Sequence, residues 1–307
     1  MGSRRRKGRA ISGWLALDKP AGLTSTRALA EVKRLMQAAK AGHAGTLDPL
    51  ATGVLPIALG DATRTVPFVM DARKVYRFTI RWGVETATDD SEGEPVATSD
   101  RRPDRDALLA ALGRFTGDIM QAPPAYSAIK IDGARAYDLA REGAPVTTEP
   151  RLVTIHRLAL VEQPDSDTAI LEAECGKGTY VRALARDLGR ALGTFGHVVA
   201  LRRQAVGPFD DRMAVSLDAL RDIAAAEGPE GCARLLQPIE FVLGDIPAVA
   251  VGGSAAIRIA HGQPVLIRGG QIPAPGPAYA VSAGRPIALG EVAAGEFRPK
   301  RVFGSGG

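Results

Sequence analysis

The chain has 307 residues, of which 45% are hydrophobic and 24% are charged. That composition is typical of a globular protein, and the length allows one large domain or two of average size. No apolar run approaches the ~18 residues that a membrane span needs. The N-terminal run "WLAL" is followed at once by charged residues, so we expect neither a signal peptide nor membrane association.

The two cysteines lie far apart, and the four histidines show no metal-ligand spacing. We therefore expect a cytoplasmic protein without a disulfide framework or a structural metal. The net charge of +5 says little about the body of the chain, because five basic residues among the first nine account for all of it. Residues 1–10 are expected to form a disordered basic arm that attracts phosphate.

A predicted helix and a glycine-rich loop open the body of the chain. The apolar stripe of "TSTRALAEVKRLMQAAKAG" predicts a helix that is capped by a hydroxyl residue at 24 or 25 and ends at Gly42. The loop "AGHAGTLDPLATGVLPIALG" follows at 41–60, and within it Pro49 restricts Asp48 to extended backbone. A simple Asp-Pro turn would explain this pair, but the surrounding glycines would also let a ligand approach the carboxylate closely.

A strand, an acidic turn and a basic aromatic segment come next. Polar and apolar residues alternate in "KVYRFTIRWG", which predicts a half-buried strand with the ring of Tyr76 facing inward. The segment "ETATDDSEGEP" predicts an acidic turn, and "PDRDALLAALGRF" predicts a short helix after Pro103. Aromatic and basic residues, among them Tyr126 and Lys130, interleave in "APPAYSAIKIDGARAYDLAREG". This pattern suits an RNA-facing arm, and a solvated helical hairpin fits the composition equally well.

A second strand–helix unit follows at "TAILEAECGKGTYVRALARDLGRALG". Its "GKGT" turn lacks the first glycine and the final hydroxyl residue of a phosphate-binding P-loop, so ATP hydrolysis is not expected. Arg182 stands in the first helical turn, where the helix dipole disfavours a cation. Either an anionic group compensates this charge or the side chain points to solvent. Beyond Gly244 the chain turns rich in Gly and Pro, which predicts a small β-rich second domain at 247–304.

Six segments, in one order along the chain, carry a family resemblance. They are "GWLALDKPAGLTS", "AGHAGTLDPLATGVLPIALGDATR", "KVYRFTIRWGVETATDDSEG", "PPAYSAIKIDGARAYDLAREG", "CGKGTYVRALARDLG" and "HVVALRRQAVGPF". Together they lie between residues 13 and 209 and resemble the TruB family of bacterial tRNA pseudouridine-55 synthases. The pattern G-H-x-G-x-L-D-P-x-A-x-G is far more specific than a lone glycine motif.

The resemblance implies an α+β fold in two parts. Residues 11–245 are expected to form a pseudouridine synthase catalytic domain, built on a bent, mixed and mainly antiparallel sheet with flanking helices. A thumb-like RNA-binding insertion is expected at about 118–150. The family's catalytic domain is typically followed by a small RNA-binding β-barrel of the PUA type, and residues 247–304 fit that place.

The resemblance also implies a reaction that needs no cofactor and no metal. A uridine at position 55, in the T-loop of tRNA, would be flipped out of its stack and isomerised to pseudouridine. Asp48 falls on the family's catalytic aspartate, and Arg182 on the arginine that pairs with it. Tyr76 falls on the tyrosine that stacks on the flipped base and removes the proton at C5. Whether Asp48 attacks the sugar, attacks the base or deprotonates the sugar stays open.

Seven further positions are expected to contact the substrate or to shape its pocket. Those that match family motif residues are Lys19, His43, Asp90, Tyr180 and Leu201, and those in the basic aromatic segment are Tyr126 and Lys130. The expected partner is the T-arm of tRNA, bound by a monomeric enzyme with no membrane and no obligatory protein partner. Ala87 and Asp89 depart from the family pattern, at positions where we expect tolerance.

Three other functions compete with this one. A non-catalytic RNA-binding or tRNA-folding protein could lack Asp48 or Tyr76, but both are present. A guide-RNA-dependent rRNA pseudouridine synthase shares the core motifs, but it usually has a differently organised tail and needs partner proteins. The insertion at 118–150 favours a stand-alone enzyme instead. A nucleoside hydrolase also places carboxylates at a ribosyl bond, but the sequence lacks its metal-binding aspartate cluster.

Overall fold

The computed structural model describes residues 8–127, 148–244, 246–267 and 272–304, and the backbone alone at 130–131 and 134–135. In chain order the described strands are β1 (Gly13–Lys19), β2 (Ala41–His43), β3 (Thr52–Leu59), β4 (Lys74–Trp82), β5 (Val84–Thr86), β6 (Pro95–Thr98), β7 (Gly117–Gln121), β8 (Lys130–Ile131), β9 (Ala134–Arg135), β10 (Arg151–Glu162), β11 (Thr168–Cys175), β12 (Gly196–Val206), β13 (Phe209–Asp210), β14 (Val215–Ser216), β15 (Ala248–Ala250), β16 (Val265–Leu266), β17 (Gly276–Ser282), β18 (Arg285–Ala293) and β19 (Glu296–Val302). The described α-helices are α1 (Ser25–Leu35), α2 (Val66–Asp71), α3 (Arg105–Leu112), α4 (Val181–Ala191), α5 (Leu217–Ala233) and α6 (Gly253–Ala260).

The largest sheet has ten strands within the described residues. Eight of them follow one another in the order β14-β1-β3-β12-β4-β11-β10-β7, while β2 pairs with β3 and β13 pairs with β12. Among the described pairs of this sheet, β1–β14 and β3–β12 are parallel and the others are antiparallel. The predicted α+β fold with a mixed, mainly antiparallel sheet is confirmed.

Helix α1 begins where the sequence predicts it but ends earlier. The hydroxyl of Thr24 caps the helix by accepting a hydrogen bond of 3.2 Å from the backbone N–H of Arg27. The prediction that the helix continues to Gly42 is wrong, because Gln37 adopts a φ of 51°, which a right-handed helix cannot contain. The chain then forms the short strand β2, which pairs with β3 and directly precedes the Asp48 loop.

Strand β4 has the alternation that the sequence predicts. Its inward side chains, Tyr76, Phe78, Ile80 and Trp82, are buried in the main hydrophobic core together with apolar residues of α1, α4 and β11. Burying such a row of large apolar side chains stabilises the sheet. Because β12 pairs with β4 on one side and β11 on the other, the inward face of β4 lies in the middle of the domain.

The predicted acidic turn is a β-hairpin rather than a simple turn. Strands β5 and β6 pair, and the connection between them carries two buried carboxylates, Asp89 and Asp90. Asp89 has a φ of 61°, in the left-handed region that aspartate tolerates better than most residues. The backbone N–H of Ser91 donates to the carbonyl of Val198, so the hairpin tip is tied to β12.

The C-terminal residues form a second, five-stranded sheet in the order β15-β17-β18-β19-β16. This sheet curls into half a barrel, and it encloses a hydrophobic cluster of its own that includes Ile259 of α6 and Phe297. A smaller cluster, formed by Leu243, Leu289 and Phe303, joins it to the rest of the chain. The predicted β-rich unit is present, while the predicted domain boundaries stay a prediction.

Two predicted segments fall partly outside the described residues. Residues 1–7 of the basic arm and most of the 128–147 part of the thumb-like insertion, with the side chains of Lys130 and Arg135, belong there. The described end of the arm is held in place by Arg9. Its side chain pairs with Glu230, and its backbone N–H donates to the carbonyl of Gln37. No helix of the described residues is long and apolar enough to cross a membrane.

Candidate active site

A cavity of about 790 Å³ opens between the Asp48 loop, strands β4 and β12, and the N-terminus of α4. The structure brings most of the predicted site residues to its wall. Those that line it are Asp48, Tyr76, Asp90, Tyr126, Tyr180, Arg182 and Leu201. Residues from six separate parts of the chain therefore meet at one concave surface, as a binding or catalytic site requires.

The centre of this wall is an ion pair between Asp48 and Arg182. The Nε of Arg182 lies 2.9 Å from Oδ2 of Asp48. The arginine side chain is 6% exposed and the aspartate side chain 35%, so the carboxylate is the partner that faces the cavity. This carboxylate is the anion that compensates Arg182 at the positive end of α4. The solvent-facing alternative for Arg182 is thereby excluded.

Three more groups hold the Arg182 guanidinium in place. Its Nη1 donates to the carbonyl of Thr88 at 2.8 Å and lies 3.3 Å from Oδ2 of Asp90. Its Nη2 donates to the carbonyl of Tyr126 at 3.1 Å. Asp90 is itself fixed, since its Oδ1 accepts from the hydroxyl of Thr88 and from the backbone N–H of Glu92. A guanidinium with this many acceptors presents one fixed edge to Asp48.

A second buried ion pair stands one helical turn further along α4. The Nη1 of Arg186 donates to Oδ2 of Asp89 at 2.9 Å, and its Nη2 donates to the carbonyl of Ala122 at 2.8 Å. Burial raises the pKa of Asp89 to about 6, although the charge of Arg186 opposes the shift. We expected tolerance at Asp89 from the sequence. The structure corrects this, because the side chain is buried and ion-paired, which predicts sensitivity to substitution.

Tyr76 forms part of the cavity wall between β11 and β12. Burial raises the pKa of its phenol, while the charge and the hydrogen bond of the neighbouring Arg203 guanidinium oppose that shift. Leu201 lies on β12, where it is the register partner of Phe78 of β4, and it adds an aliphatic wall to the cavity. An aromatic face and an aliphatic face of this kind suit a flat, uncharged base that is stacked between them.

Tyr180 is the N-cap residue of α4. Its backbone N–H donates to Oε1 of Gln121 at 2.8 Å, so the start of the helix is joined to β7. Burial raises the pKa of the Tyr180 phenol, and the charge of Asp48 adds to this effect. The ring is therefore a neutral hydrogen-bonding wall beside the carboxylate.

Lys19 lies beneath the Asp48 loop and not at the cavity wall. This side chain is fully buried and does not line the cavity. Its Nζ donates to the carbonyls of Pro20, Leu23 and Pro49, the last of which directly follows Asp48. Burial lowers the pKa of Lys19 to about 8. The lysine therefore supports the Asp48 loop from beneath.

The other two predicted positions take different places. His43 lies on β2, where burial and the charge of Arg203 lower the pKa of the imidazole, and it does not line the cavity. Its Nδ1 is buried without a hydrogen-bond partner among the described residues. The side chain of Lys130 lies outside the described residues.

Arg203 is a site residue that sequence reasoning missed. It is 1% exposed, lines the cavity and contacts both the Asp48 loop and Tyr76. A signal for it was present, because Leu201 and Arg203 are two apart on a strand and so face the same side. Three cations at the cavity wall were also missed: Lys74, Arg151 and Lys177.

Comparison with known proteins assigns the chain to a family. A model described as "TruB family pseudouridylate synthase (N terminal domain)" matches residues 33–181. A second model, "tRNA pseudouridylate synthase B C-terminal domain", matches residues 182–244. The tRNA pseudouridine synthase B of Bradyrhizobium diazoefficiens is 60% identical, with 97% of this chain and 88% of that protein covered. That of Agrobacterium fabrum is 55% identical, with 98% and 97% covered.

Solved structures show the same fold at lower identity. One described as a Cbf5-Nop10-Gar1 complex contains a chain 26% identical with a TM-score of 0.72, and 96% of this chain and 85% of that chain are covered. A chain in an H/ACA RNP bound to a substrate RNA is 23% identical with a TM-score of 0.73, over 99% and 92% of the two chains.

The ten-stranded sheet, with a carboxylate presented in a cavity across it, is the fold of the pseudouridine synthases. Within that class, the chain belongs to the TruB family of pseudouridylate synthases.

Proposed function

We infer that this protein isomerises a uridine of tRNA to pseudouridine, and we propose position 55 in the T-loop as its target. The observation that carries the proposal is the cavity-facing carboxylate of Asp48, held by Arg182 between the walls of Tyr76 and Leu201. The 52–60% identical relatives are named tRNA pseudouridine synthase B, which supports tRNA as the substrate.

The reaction is an isomerisation in which no atom is gained or lost. The bond between N1 of uracil and C1′ of ribose breaks, the base turns, and C5 forms a bond to C1′. The proton on C5 leaves and N1 ends protonated, so the product has the formula of the substrate. The enzyme therefore has to hold a detached base and its sugar in register, which is largely a matter of positioning.

Each site residue has a role in that reaction by our proposal. Asp48 acts at the sugar or the base, as nucleophile or as base, and Arg182 orients it. Tyr76 stacks on the flipped uracil and takes the C5 proton, while Leu201 and Tyr180 complete the pocket. The base must leave the T-loop stack to reach this depth, and an aromatic surface repays part of that cost.

RNA binding would involve surfaces on both sides of the cavity. Lys177, which is 70% exposed, and Arg151 line the cavity and could contact phosphate. We propose that the thumb-like insertion at about 118–150 and the C-terminal unit at 247–304 hold the rest of the tRNA arm. We further propose that the enzyme acts as a monomer in the cytoplasm, without a protein partner.

The decisive experiment measures tritium release from C5-tritiated uridine in a T-arm hairpin. Asp48→Asn should abolish release while hairpin affinity changes no more than a few-fold, because one carboxylate contributes chemistry and little binding. Asp71→Asn is the matched control, since Asp71 also lines the cavity but pairs with Lys177. Substantial release by Asp48→Asn would contradict the assignment.

The guide-dependent alternative is tested with the same assay. The purified chain alone should convert the hairpin without added RNA or protein. A requirement for a guide RNA or for a second protein would favour the alternative.

A further inference from the structure

Arg203 is a buried cation that has no carboxylate partner among the residues that the structure describes. Its side chain is 1% exposed, and none of the ion pairs among the described residues includes it. A charged group removed from water is costly unless hydrogen bonds compensate it. Arginine also keeps its charge under all ordinary conditions. The acceptors around this guanidinium therefore identify what it stabilises.

Two of these acceptors lie at opposite ends of the Asp48 loop. The Nη2 of Arg203 donates to the carbonyl of Gly45 at 3.0 Å, three residues before Asp48, and its Nε donates to the carbonyl of Val54 at 2.8 Å. One planar side chain thus holds the beginning and the end of the loop together. The loop backbone cannot spread without breaking one of these bonds.

The glycines of the loop allow this close approach. Gly45 has a φ of 85°, and a Cβ added there would lie 3.3 Å from Nη1 of Arg203. Gly53 has a φ of 100°, and an added Cβ would lie 2.2 Å from the carbonyl oxygen of Arg203. Side chains at these positions would push the loop away from the arginine. The glycine pattern around Asp48 therefore reflects, at these two positions, the packing of Arg203.

The third neighbour of the guanidinium is the hydroxyl of Tyr76. The two residues are register partners on β12 and β4. Burial raises the pKa of Tyr76, and the other titratable groups facing the phenol, Cys175 of β11 and Asp48 of the loop, raise it further. The charge and hydrogen bond of Arg203 act in the opposite direction. Among the described groups that act on this phenol, Arg203 is the one that favours its ionised form.

We propose that Arg203 is a positioning residue that fixes the Tyr76 hydroxyl against the Asp48 loop and supplies the positive charge that lets Tyr76 accept the C5 proton. This rests on the proposed isomerisation. When the C5–H bond breaks, its electron pair returns to the uracil ring and the proton passes to the ionised oxygen of Tyr76. Tyr76 later releases that proton to water, and N1 takes one from water, so the count closes.

The test compares Arg203→Met and Arg203→Lys with the matched control Arg202→Met. Arg202 is the neighbouring arginine of β12, where it pairs with Asp18 and Asp211. Single-turnover tritium release and hairpin affinity are measured for each protein. The titration of Tyr76 is followed by ultraviolet absorbance, as the difference between each protein and the same protein carrying Tyr76→Phe.

In Arg203→Met we expect the single-turnover rate to fall by roughly 100-fold or more while hairpin affinity stays within a few-fold. The Tyr76 transition should move to higher pH. Arg203→Lys keeps the charge but cannot hold both carbonyls, so it should restore the titration and only part of the rate. Arg202→Met should stay within a few-fold of the wild type.

A wild-type rate in Arg203→Met, or an unchanged Tyr76 transition, would overturn the proposal. If that variant does not fold by circular dichroism, Arg203→Lys decides, since a wild-type rate there would equally overturn it. A wild-type protein that makes no pseudouridine would instead overturn the proposed function.

Discussion

Arg182 and Asp48 form an ion pair of 2.9 Å in the wall of the cavity, and the two side chains differ in their exposure to it. The arginine is enclosed by backbone carbonyls and by Asp90, whereas the aspartate keeps one side open. The pair is therefore asymmetric. The cation is part of the fixed structure, and the carboxylate is the group that can react.

Removing the fixed member of this pair should damage catalysis more than binding. Arg182→Met should lower the single-turnover rate by roughly 100-fold or more, because Asp48 loses its orientation. Arg182→Lys should lose less, since a lysine keeps the charge but not the planar fork. Arg190→Met is the matched control, because Arg190 lies on the same helix and pairs with Glu85. Normal turnover by Arg182→Met would show that the pairing is not needed.

Because of Lys19, activity should fall and the free energy of unfolding should rise as the pH becomes alkaline. Burial lowers its pKa to about 8, so above that pH the amine is neutral and its support of Pro49 weakens. Activity should therefore fall with a midpoint near pH 8. Between about pH 8 and the ordinary lysine value of 10.5 the unfolded chain binds more protons than the folded one. The free energy of unfolding should then rise with pH, relative to Lys19→Met.

The measurement follows pH–rate profiles and chemical denaturation of wild type and Lys19→Met in parallel. An alkaline midpoint that persists in the variant would assign it to another group. A stability difference that does not change with pH would contradict the lowered pKa of Lys19.

Two glycines with positive φ should respond very differently to alanine. In Gly53→Ala the new Cβ would meet the backbone of Arg203, so we expect a loss of about 3 kcal/mol or more in the free energy of unfolding. Gly22 has a φ of 76° and open space around it, so Gly22→Ala should cost only about 1 kcal/mol. Urea denaturation measures both. Equal losses would mean that the backbone angle, and not the contact with Arg203, determines the cost.

Deleting residues 247–307 should leave a folded enzyme with weaker tRNA binding. The C-terminal sheet has its own hydrophobic cluster, and a small cluster that includes Leu243 and Phe303 joins it to the remainder. We expect kcat/KM on full tRNA to fall further than kcat/KM on a T-arm hairpin, which is too short to reach a distal unit. Insolubility, or equal losses on both substrates, would contradict the proposed boundary.

The sequence predicted those features that depend on local patterns. The alternation of β4 placed Tyr76 inward, and the dipole of α4 made an anion one of two alternatives for Arg182. The end of α1 could not be predicted in the same way, because Gln37 adopts a positive φ without the glycine that usually marks one.

The burial of several charged side chains was also not predicted from the sequence, because some of their partners are distant in the chain. A charged residue in a strand or helix predicts an exposed side chain, and Lys19, Arg186 and Arg203 are all buried. Their acceptors include groups more than 90 residues away for both arginines. Such partners become visible only when the strands are placed side by side.

The place of β12 in the sheet has a consequence for synthesis on the ribosome. This strand lies between β3 and β4, which precede it by more than a hundred residues. A nascent chain that has not yet reached residue 206 therefore exposes two unpaired inner edges and an incomplete apolar core. We expect such chains to be held by chaperones or to aggregate, rather than to act as smaller enzymes. The late arrival of one strand makes this fold slow to complete and the active site one of its last features to form.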